Sequence, residues 1–226
     1  MERLLMPKIN LHCHTTYSDG HEPLALMLLE HQKQGFSAFV VTDHLKVIQR
    51  LSDYKKSLSS KVDVNKQRKE LNALSKYLKY PCIQGVELWL REEEILLFGI
   101  DVIREVIDYI ENYEGNNIYI DTIRFIKEHK NRCACILCHP RLLLQYHPYY
   151  QEYYKELFSI LDGYERYNCG QDWFANREIP EELKNLKPFY NSDSHTLGHI
   201  ETGNNQHNRP IKRDEDLIKF IKGRLF

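Results

Sequence analysis

The chain has 226 residues, a formal net charge of -1 at pH 7 and a pI of about 6.8. This length is typical of one large domain, and a nearly neutral chain lacks the basic field that concentrates nucleic acid. No run of about 18 apolar residues occurs, which excludes a transmembrane helix, and the charged N-terminus does not resemble a signal peptide. We therefore expect a cytoplasmic protein with no membrane partner and a single domain over residues 1–226.

The first predicted strand, residues 8–14, carries two histidines at its carboxyl end. Because side chains alternate along a strand, His12 and His14 share one face of it. The turn at residues 18–20 can bring the Asp19 carboxylate back toward both imidazoles. Two imidazoles and an acid at a strand end suggest a metal site, although an isolated His-x-His is also compatible with a half-exposed strand.

The next elements are predicted to alternate between helix and strand. A helix opens at Glu22-Pro23 and ends at Gly35, and a strand follows over residues 37–41. Strand, helix and strand within about thirty residues form the βαβ unit of a parallel sheet. Residues 46–61 are rich in lysine and serine, and we predict a mobile loop there, followed by a helix. Residues 45–80 are thus predicted to form a loop-plus-helix insertion over the face where the strands end.

The rest of the chain continues this alternation. We predict further strands over residues 81–86, 95–100, 134–138, 163–167 and 188–191. Helices are predicted over residues 101–113 and 118–130, after Pro148, over 173–186 with an interruption at Pro180, and over 214–224 with a cap at Asp214.

Four of these later strands also end on residue types that bind metals. The motifs that follow them are Thr42-Asp43-His44, Gly85-Val86-Glu87, Cys138-His139-Pro140 and Ser192-Asp193-Ser194-His195. Loops after the strands of a parallel barrel build one active-site face, whereas an open doubly wound sheet gathers ligands from only two or three strands. Five ligand-bearing strand exits therefore favour a closed or nearly closed α/β barrel.

Six motifs occur in a fixed order along the chain. They are His12-x-His14-x-x-x-Ser18-Asp19-Gly20, Thr42-Asp43-His44, Gly85-x-Glu87, His139-Pro140, Gly163-x-Glu165-x-Tyr167-Asn168 and Ser192-Asp193-x-His195. Together they resemble the polymerase and histidinol phosphatase (PHP) family of metal-dependent phosphoesterases, over residues 8 to about 203. The resemblance implies an α/β fold, a distorted (β/α)7 TIM-like barrel, that holds two or three divalent ions of zinc, manganese or iron.

The resemblance also implies which residues bind each ion. The ligands would be His12, His14, Glu87 and Asp193 for the first ion, Glu87, His139 and Glu94 for the second, and Asp19, His44 and His195 for the third. Much of the family has a histidine where Glu94 stands, and a carboxylate would favour manganese or iron. A shift of the alignment by one or two residues would instead leave that position without a ligand. The residues expected to support the site through hydrogen bonds are Asp43, Glu165 and Asn168.

Phosphate ester hydrolysis explains why such a cluster is needed. The ester dianion repels hydroxide, so the reaction requires positive charge on the phosphoryl oxygens and a nucleophile at neutral pH. Metal ions supply both, and the catalytic metal-bound water would be held by Glu87, Asp193 and His195. The candidates for binding the substrate phosphate are Arg141, through its fork of donors, and more weakly Lys46 and His199.

Three functions are compatible with these residues. We favour a hydrolase that cleaves a phosphate monoester of a small metabolite or nucleotide, because the chain has no recognisable nucleic-acid module. The alternative is a nuclease that uses the same site on single-stranded nucleic acid or 5′ ends, with residues 46–69 guiding the strand. A metal-binding but non-catalytic interaction module is the third, and the nearly complete set of clustered acids and imidazoles argues against it.

Overall fold

The computed structural model describes residues 6–49 and 56–224, and for residues 46–49 and 56–61 it describes the backbone alone. Its strands are β1 (Lys8–Ile9), β2 (Phe39–Val41), β3 (His44–Gln49), β4 (Lys56–Lys61), β5 (Cys82–Trp89), β6 (Glu94–Phe98), β7 (Ala134–Leu137), β8 (Gly163–Asn168), β9 (Gln171–Asp172), β10 (Lys187–Asn191) and β11 (Asn205–Gln206). Its α-helices are α1 (Leu24–Lys33), α2 (Val64–Leu78), α3 (Ile100–Glu111), α4 (Ile118–Glu128), α5 (Gln151–Ile160), α6 (Glu181–Lys184) and α7 (Asp214–Ile221). Two 3-10 helices lie at Pro148–Tyr150 and Leu197–Thr202.

Most of the strands belong to one sheet. Its order is β10-β8-β7-β6-β5-β3-β4, with β2 paired to the first half of β5 and β9 to the end of β8. The pairs β10·β8, β7·β8, β2·β5 and β3·β5 are parallel, as the alternation of strands and helices predicts. In contrast, β6 is antiparallel to both β5 and β7. The connection over residues 90–93 is too short for a parallel crossover, which needs about a dozen residues, so the prediction of parallel strands is wrong for β6.

The N-terminal segment, residues 8–14, joins the two sides of this sheet. The Thr42 amide after β2 donates to the carbonyl of Cys13 at 2.9 Å. On the other side of the segment, the His14 amide donates to the carbonyl of Ser194 at 2.8 Å, just beyond β10. The sheet therefore curls round into a distorted barrel, which confirms the predicted α/β barrel fold.

The interior of the barrel is apolar at one end and polar at the other. Because alternate residues of a strand share a face, the inward side of β5 runs from Ile83 through Gly85 to Glu87. The inward side of β6 runs from Glu94 to Phe98, which pairs with Gly85. The antiparallel direction of β6 thus places its first residue, Glu94, at the end where β5 finishes.

The helices cover the barrel on the outside and close its apolar end. Residues of α3, α4 and α5 pack on β5, β6 and β7, while α1 and α2 pack on β2. Leu217 and Phe220 of α7 join the apolar cluster of the interior, together with Ile83 and Phe98. Within residues 6–49 and 56–224, none of the helices combines the length and apolar composition needed to cross a bilayer.

Other predicted elements also differ from the structure. The first strand, predicted over residues 8–14, is limited to Lys8–Ile9, and beyond it Cys13 forms an isolated bridge with Ser194. Instead of a loop, the described parts of residues 46–61 form the antiparallel strands β3 and β4, and residues 50–55 lie outside the described residues. Within residues 173–186 only α6 is α-helical, and it begins after Pro180, whose fixed φ suits a helix start. Asp214 is the first residue of α7 rather than its cap, because Arg213 occupies the N-cap without a side-chain hydrogen bond.

Gly85 has a packing reason to lack a side chain. A methyl group at this position would lie 2.7 Å from two ring carbons of Phe98. We predict that Gly85→Ala lowers the free energy of unfolding by about 1–3 kcal/mol, measured by urea denaturation. Gly198→Ala is the control, because no described atom lies within 4 Å of the added carbon. Equal stability of the two variants would contradict the packing described for β5 and β6.

Candidate metal centre

Two imidazoles and two carboxylates lie together at the polar end of the barrel. The Nε2 atoms of His12 and His14 lie 3.0 Å apart. Asp193 Oδ1 lies 3.4 Å from the first nitrogen and 3.1 Å from the second. Each of these nitrogens also lies 3.3 Å from one oxygen of Glu87, and ligand atoms of His12, His14 and Glu87 lie within 4.8 Å of one another. Imidazole nitrogens beside carboxylates are a suitable donor set for a divalent ion.

A buried carboxylate below this group orients His12. Glu165 Oε1 lies 2.8 Å from His12 Nδ1, which assigns the proton to Nδ1 and leaves the Nε2 lone pair facing the group. Glu165 also accepts hydrogen bonds from the side-chain amides of Asn168 at 2.6 Å and Asn191 at 2.8 Å. The backbone amide of His139 donates to it at 2.8 Å. Glu165 therefore holds several ligand-bearing segments together from beneath.

A second group shares Glu87 with the first. Glu87 Oε1 lies 2.9 Å from Nε2 of His139, and Glu94 Oε2 lies 3.1 Å from the same nitrogen. His139 follows β7, and Glu94 begins the antiparallel strand β6. Because Glu87 Oε1 also lies 3.3 Å from His12 Nε2, this carboxylate joins the two groups and could be a ligand shared between them.

A third group lies at the opening of the barrel around Asp19. Its Oδ2 is 3.2 Å from His44 Nε2, and its Oδ1 is 3.4 Å from His195 Nε2. The Nδ1 atom of His195 lies 3.0 Å from the Asp193 carbonyl, which turns Nε2 toward Asp19. About half of the Asp19 side chain is exposed, so this group is the most accessible of the three.

Asp43 fixes the turn that carries Asp19. Its carboxylate accepts hydrogen bonds from the Thr15 amide at 2.8 Å and the Thr15 hydroxyl at 2.7 Å. The Ser18 hydroxyl and the Gln67 side-chain amide each donate to it at 2.5 Å. With both oxygens engaged in this way, Asp43 supports the turn rather than offering a free ligand atom, as the sequence predicts.

The backbone of Asp193 adopts an unusual conformation for a residue other than glycine. Its φ of 49° lies in the left-handed region, which costs energy for residues with a side chain. The preceding residue is held firmly, because Asn10 accepts from the Ser192 amide at 3.0 Å and donates to the Ser192 hydroxyl at 2.6 Å. In this conformation the Asp193 carboxylate lies close to both His12 and His14, which follow β1.

Three buried polar atoms in this cluster have no hydrogen-bond partner among the described residues. They are His44 Nδ1, Glu87 Oε2 and Asp193 Oδ1. His44 Nδ1 lies 2.8 Å from Glu87 Oε2, but the two atoms are not aligned for a hydrogen bond. Buried polar atoms are rarely left unpaired, and imidazole nitrogens and carboxylate oxygens are ligands of zinc, manganese and iron. The residues present therefore fit divalent ions.

In the absence of a cation, protons must balance the charge of the carboxylates. Burial disfavours the charged form of His14, but the carboxylates of Asp193 and Glu87 outweigh burial and raise its pKa to about 9. For His139, burial is likewise outweighed by Glu87 and Glu94, which raise its pKa to about 10. The pKa of Glu87 is held well below its usual value, because the surrounding imidazoles outweigh burial.

The candidates for phosphate binding lie in different surroundings. Arg141 is exposed, and it lines a small cavity of about 120 Å³ together with His139 and Glu94. His199 is exposed on the 3-10 helix that follows His195. The side chain of Lys46 lies outside the described residues. Arg141 is thus the candidate that the structure brings to the second group.

Two residues near His139 were not found by sequence reasoning. Arg177 donates to the carbonyls of Pro140 and Arg141, the latter at 2.6 Å, and so holds the loop that follows His139. The ring centroid of Trp173 lies 6.0 Å from that of His139. Both residues come from the irregular segment after β9, where no motif or periodicity indicated a link to this loop.

A family model described as PHP domain matches residues 10–221. A search of curated proteins finds no match. Among solved structures, a two-domain protein from Bacteroides vulgatus that contains a predicted PHP-like metal-dependent phosphoesterase is 17% identical, with a TM-score of 0.58 over 97% of this chain and 63% of that one. The lesion-specific endonuclease EndoQ from Pyrococcus furiosus is 14% identical, with a TM-score of 0.57 over 97% of this chain and 56% of that one. The chain thus spans less than two thirds of either protein, and at these identities the likeness shows the fold.

Metal binding should release protons from the cluster. Metals bind neutral imidazole, so at pH 7.5 an ion must displace the protons that pKa values of about 9 and 10 keep on His14 and His139. We predict release of about two or more protons per chain, and less release as the pH rises through these pKa values. Titration calorimetry in buffers of different ionisation enthalpy measures the number. Binding without proton release at pH 7.5 would contradict the charge balance described here.

Proposed function

The chain belongs to the PHP domain family, and from this premise we propose that it hydrolyses a phosphate monoester of a small metabolite or nucleotide at a centre of two or three divalent ions. Its class is that of a metal-dependent phosphoesterase, which is a hydrolase. What we propose beyond this class is the substrate, the number of ions and the role of each residue.

The observation that carries the proposal is the set of unpaired ligand atoms at the polar end of the barrel. Glu87 Oε2 and Asp193 Oδ1 are buried without hydrogen bonds, although each lies within 3.4 Å of an imidazole nitrogen. Leaving such atoms unpaired is costly unless a ligand completes the site. Bound cations would offset this cost and also provide the charge that phosphate ester cleavage requires.

We assign the ligands to three positions. When bound, divalent ions there would place positive charge beside the phosphoryl oxygens and make a water-derived nucleophile available near neutral pH. The assigned ligands are His12, His14, Glu87 and Asp193 for the first position, Glu87, Glu94 and His139 for the second, and Asp19, His44 and His195 for the third. The carboxylates offset the repulsion between adjacent cations, and the neutral imidazoles keep the site open to an anionic substrate.

Arg141 would orient the substrate. Arg141 lines the small cavity together with Glu94 and His139, and a guanidinium can donate two parallel hydrogen bonds to phosphate oxygens. The backbone below it is anchored, because its carbonyl accepts from Arg177 and its amide donates to Glu93 at 3.2 Å. An arginine anchored in this way can hold the phosphoryl group against the centre without itself binding an ion.

A nuclease activity at the same centre is the second candidate. The observation that favours it is a set of exposed apolar side chains after Arg141, since Leu143, Tyr146 and Tyr149 are each more than 80% exposed. Exposed aromatic rings can stack on the bases of a single strand. The protein from Pyrococcus furiosus whose structure is similar over 97% of this chain is a lesion-specific endonuclease.

The two activities can be separated with defined substrates. Purified protein with added manganese would be given nucleoside, sugar and amino-alcohol monophosphates and, in parallel, a single-stranded oligonucleotide. We predict turnover of monophosphates with little dependence on salt. Faster cleavage of the oligonucleotide, falling steeply as salt rises, would establish the nuclease instead.

Asp193→Asn tests the assignment of the first position. The amide lacks the negative charge that holds a cation between His12 and His14, so we predict at least about a 100-fold loss of kcat/KM on an aryl phosphate. Asp101→Asn is the control, because that carboxylate is exposed on α3 and its loss should leave turnover unchanged. Full activity of Asp193→Asn would contradict the assignment.

A further inference from the structure

Glu93 is a buried acid that has no role in the centre described above. Only 3% of its surface is exposed, although it lies in a run of three glutamates that would ordinarily be solvated. It forms no ion pair with a lysine or arginine of the described residues. A carboxylate in such a position needs strong hydrogen bonds to offset the loss of water.

Those hydrogen bonds come from two separate segments. The backbone amides of Arg141 and Leu142 donate to Oε2 at 3.2 Å and to Oε1 at 2.6 Å, respectively. The Tyr154 hydroxyl of α5 donates to Oε1 at 2.9 Å. Both oxygens of Glu93 are therefore engaged, and two of the three donors lie in the loop after β7.

The turn that contains Glu93 and the loop after β7 that it binds carry the ligands assigned to the second position. Glu93 directly precedes Glu94, and the amides that it binds lie two and three residues after His139. The ligand atoms of Glu94 and His139 are 3.1 Å apart. A hydrogen-bonded connection so close to both ligands constrains the distance between them.

Each segment is also fixed on its other side. The Leu90 amide donates to the Glu93 carbonyl at 2.9 Å, and the Tyr153 hydroxyl donates to the Leu90 carbonyl at 2.7 Å. In the facing loop, Leu142 has a φ of 51° in the left-handed region, so this backbone is costly to hold. The Glu93 carboxylate satisfies the amide of Leu142 and thereby stabilises this conformation.

We propose that Glu93 is a positioning residue that holds Glu94 and His139 at the separation needed to bind an ion in the second position. This inference rests on the proposed metal centre and assigns a new residue to it. Glu93 acts only through the two ligands and touches neither the ion nor the substrate.

Glu93→Gln breaks part of this hydrogen-bonded connection while keeping the shape of the side chain. The amide oxygen of glutamine can accept one set of hydrogen bonds, but its NH2 group must face a donor, either the Arg141 amide or the Leu142 amide with Tyr154. One end of the connection is therefore lost. Glu92→Gln is the matched control, because Glu92 is the adjacent acid in the same turn and pairs with Arg91 at 3.1 Å.

The first readout is manganese binding, followed by the paramagnetic resonance signal of free Mn²⁺. We predict that Glu93→Gln weakens one binding position by about 10- to 100-fold and leaves the others unchanged. Glu92→Gln should bind manganese as the wild type does. Because this readout needs no turnover, it decides the role of Glu93 even if the wild type hydrolyses none of the substrates offered.

The second readout separates positioning from a general loss of stability. If Glu93 positions ligands, excess manganese should restore the kcat of Glu93→Gln toward the wild-type value. Unchanged manganese affinity in a variant with a lower melting temperature would overturn the proposal.

If Glu93→Gln does not fold, Tyr154→Phe tests the role of Glu93 instead. This variant removes one donor to Glu93 and should weaken manganese binding at the same position by about threefold. Wild-type manganese affinity in Tyr154→Phe would then overturn the proposal.

Discussion

The arrangement at the polar end of the barrel depends on one buried carboxylate. The Oε1 atom of Glu87 faces His12 and His139, and its Oε2 atom faces His14 and His44, all within 3.3 Å. A fully buried charge is tolerated only when opposite charge or strong hydrogen bonds surround it. Protons on the imidazoles can provide that charge, and so can metal ions. The same cluster is therefore both a site of raised histidine pKa values and a candidate metal centre.

The fold explains why these side chains meet. Glu87 lies near the end of the inward face of β5, which runs between β3 on one side and β6 on the other. The backbone of Glu87 pairs with His44 of β3, while antiparallel β6 presents Glu94 at the same end of the sheet. On the far side of the barrel, the segment that follows β1 contributes His12 and His14 beside Asp193. A curled sheet thus brings residues more than 180 positions apart in the chain to within contact distance.

The sequence predicted the alternation of strands and helices, because a period of two is a local signal. It also predicted the set of strand-exit residues that the structure brings together, because ligand types at strand ends are local signals as well.

The sequence did not predict the direction of β6, which depends on a short turn rather than on any pattern within the strand. Nor did it identify Glu93, because the run Glu92-Glu93-Glu94 has the composition of a solvated turn. Strand β4 was missed because its lysines and serines lack apolar alternation, and β3 was missed because Leu45, Val47 and Ile48 run directly into this polar stretch.

The proposed metal centre requires that cations, rather than protons alone, balance the charge around Glu87. The most direct test is to count the divalent ions per chain by mass spectrometry, in purified wild-type protein and in Glu87→Gln, after dialysis at pH 7.5. We expect two or three ions per wild-type chain and the loss of at least one in the variant, because Glu87 is assigned to two positions. Less than one ion per chain in the wild type, or the same content in both proteins, would contradict it.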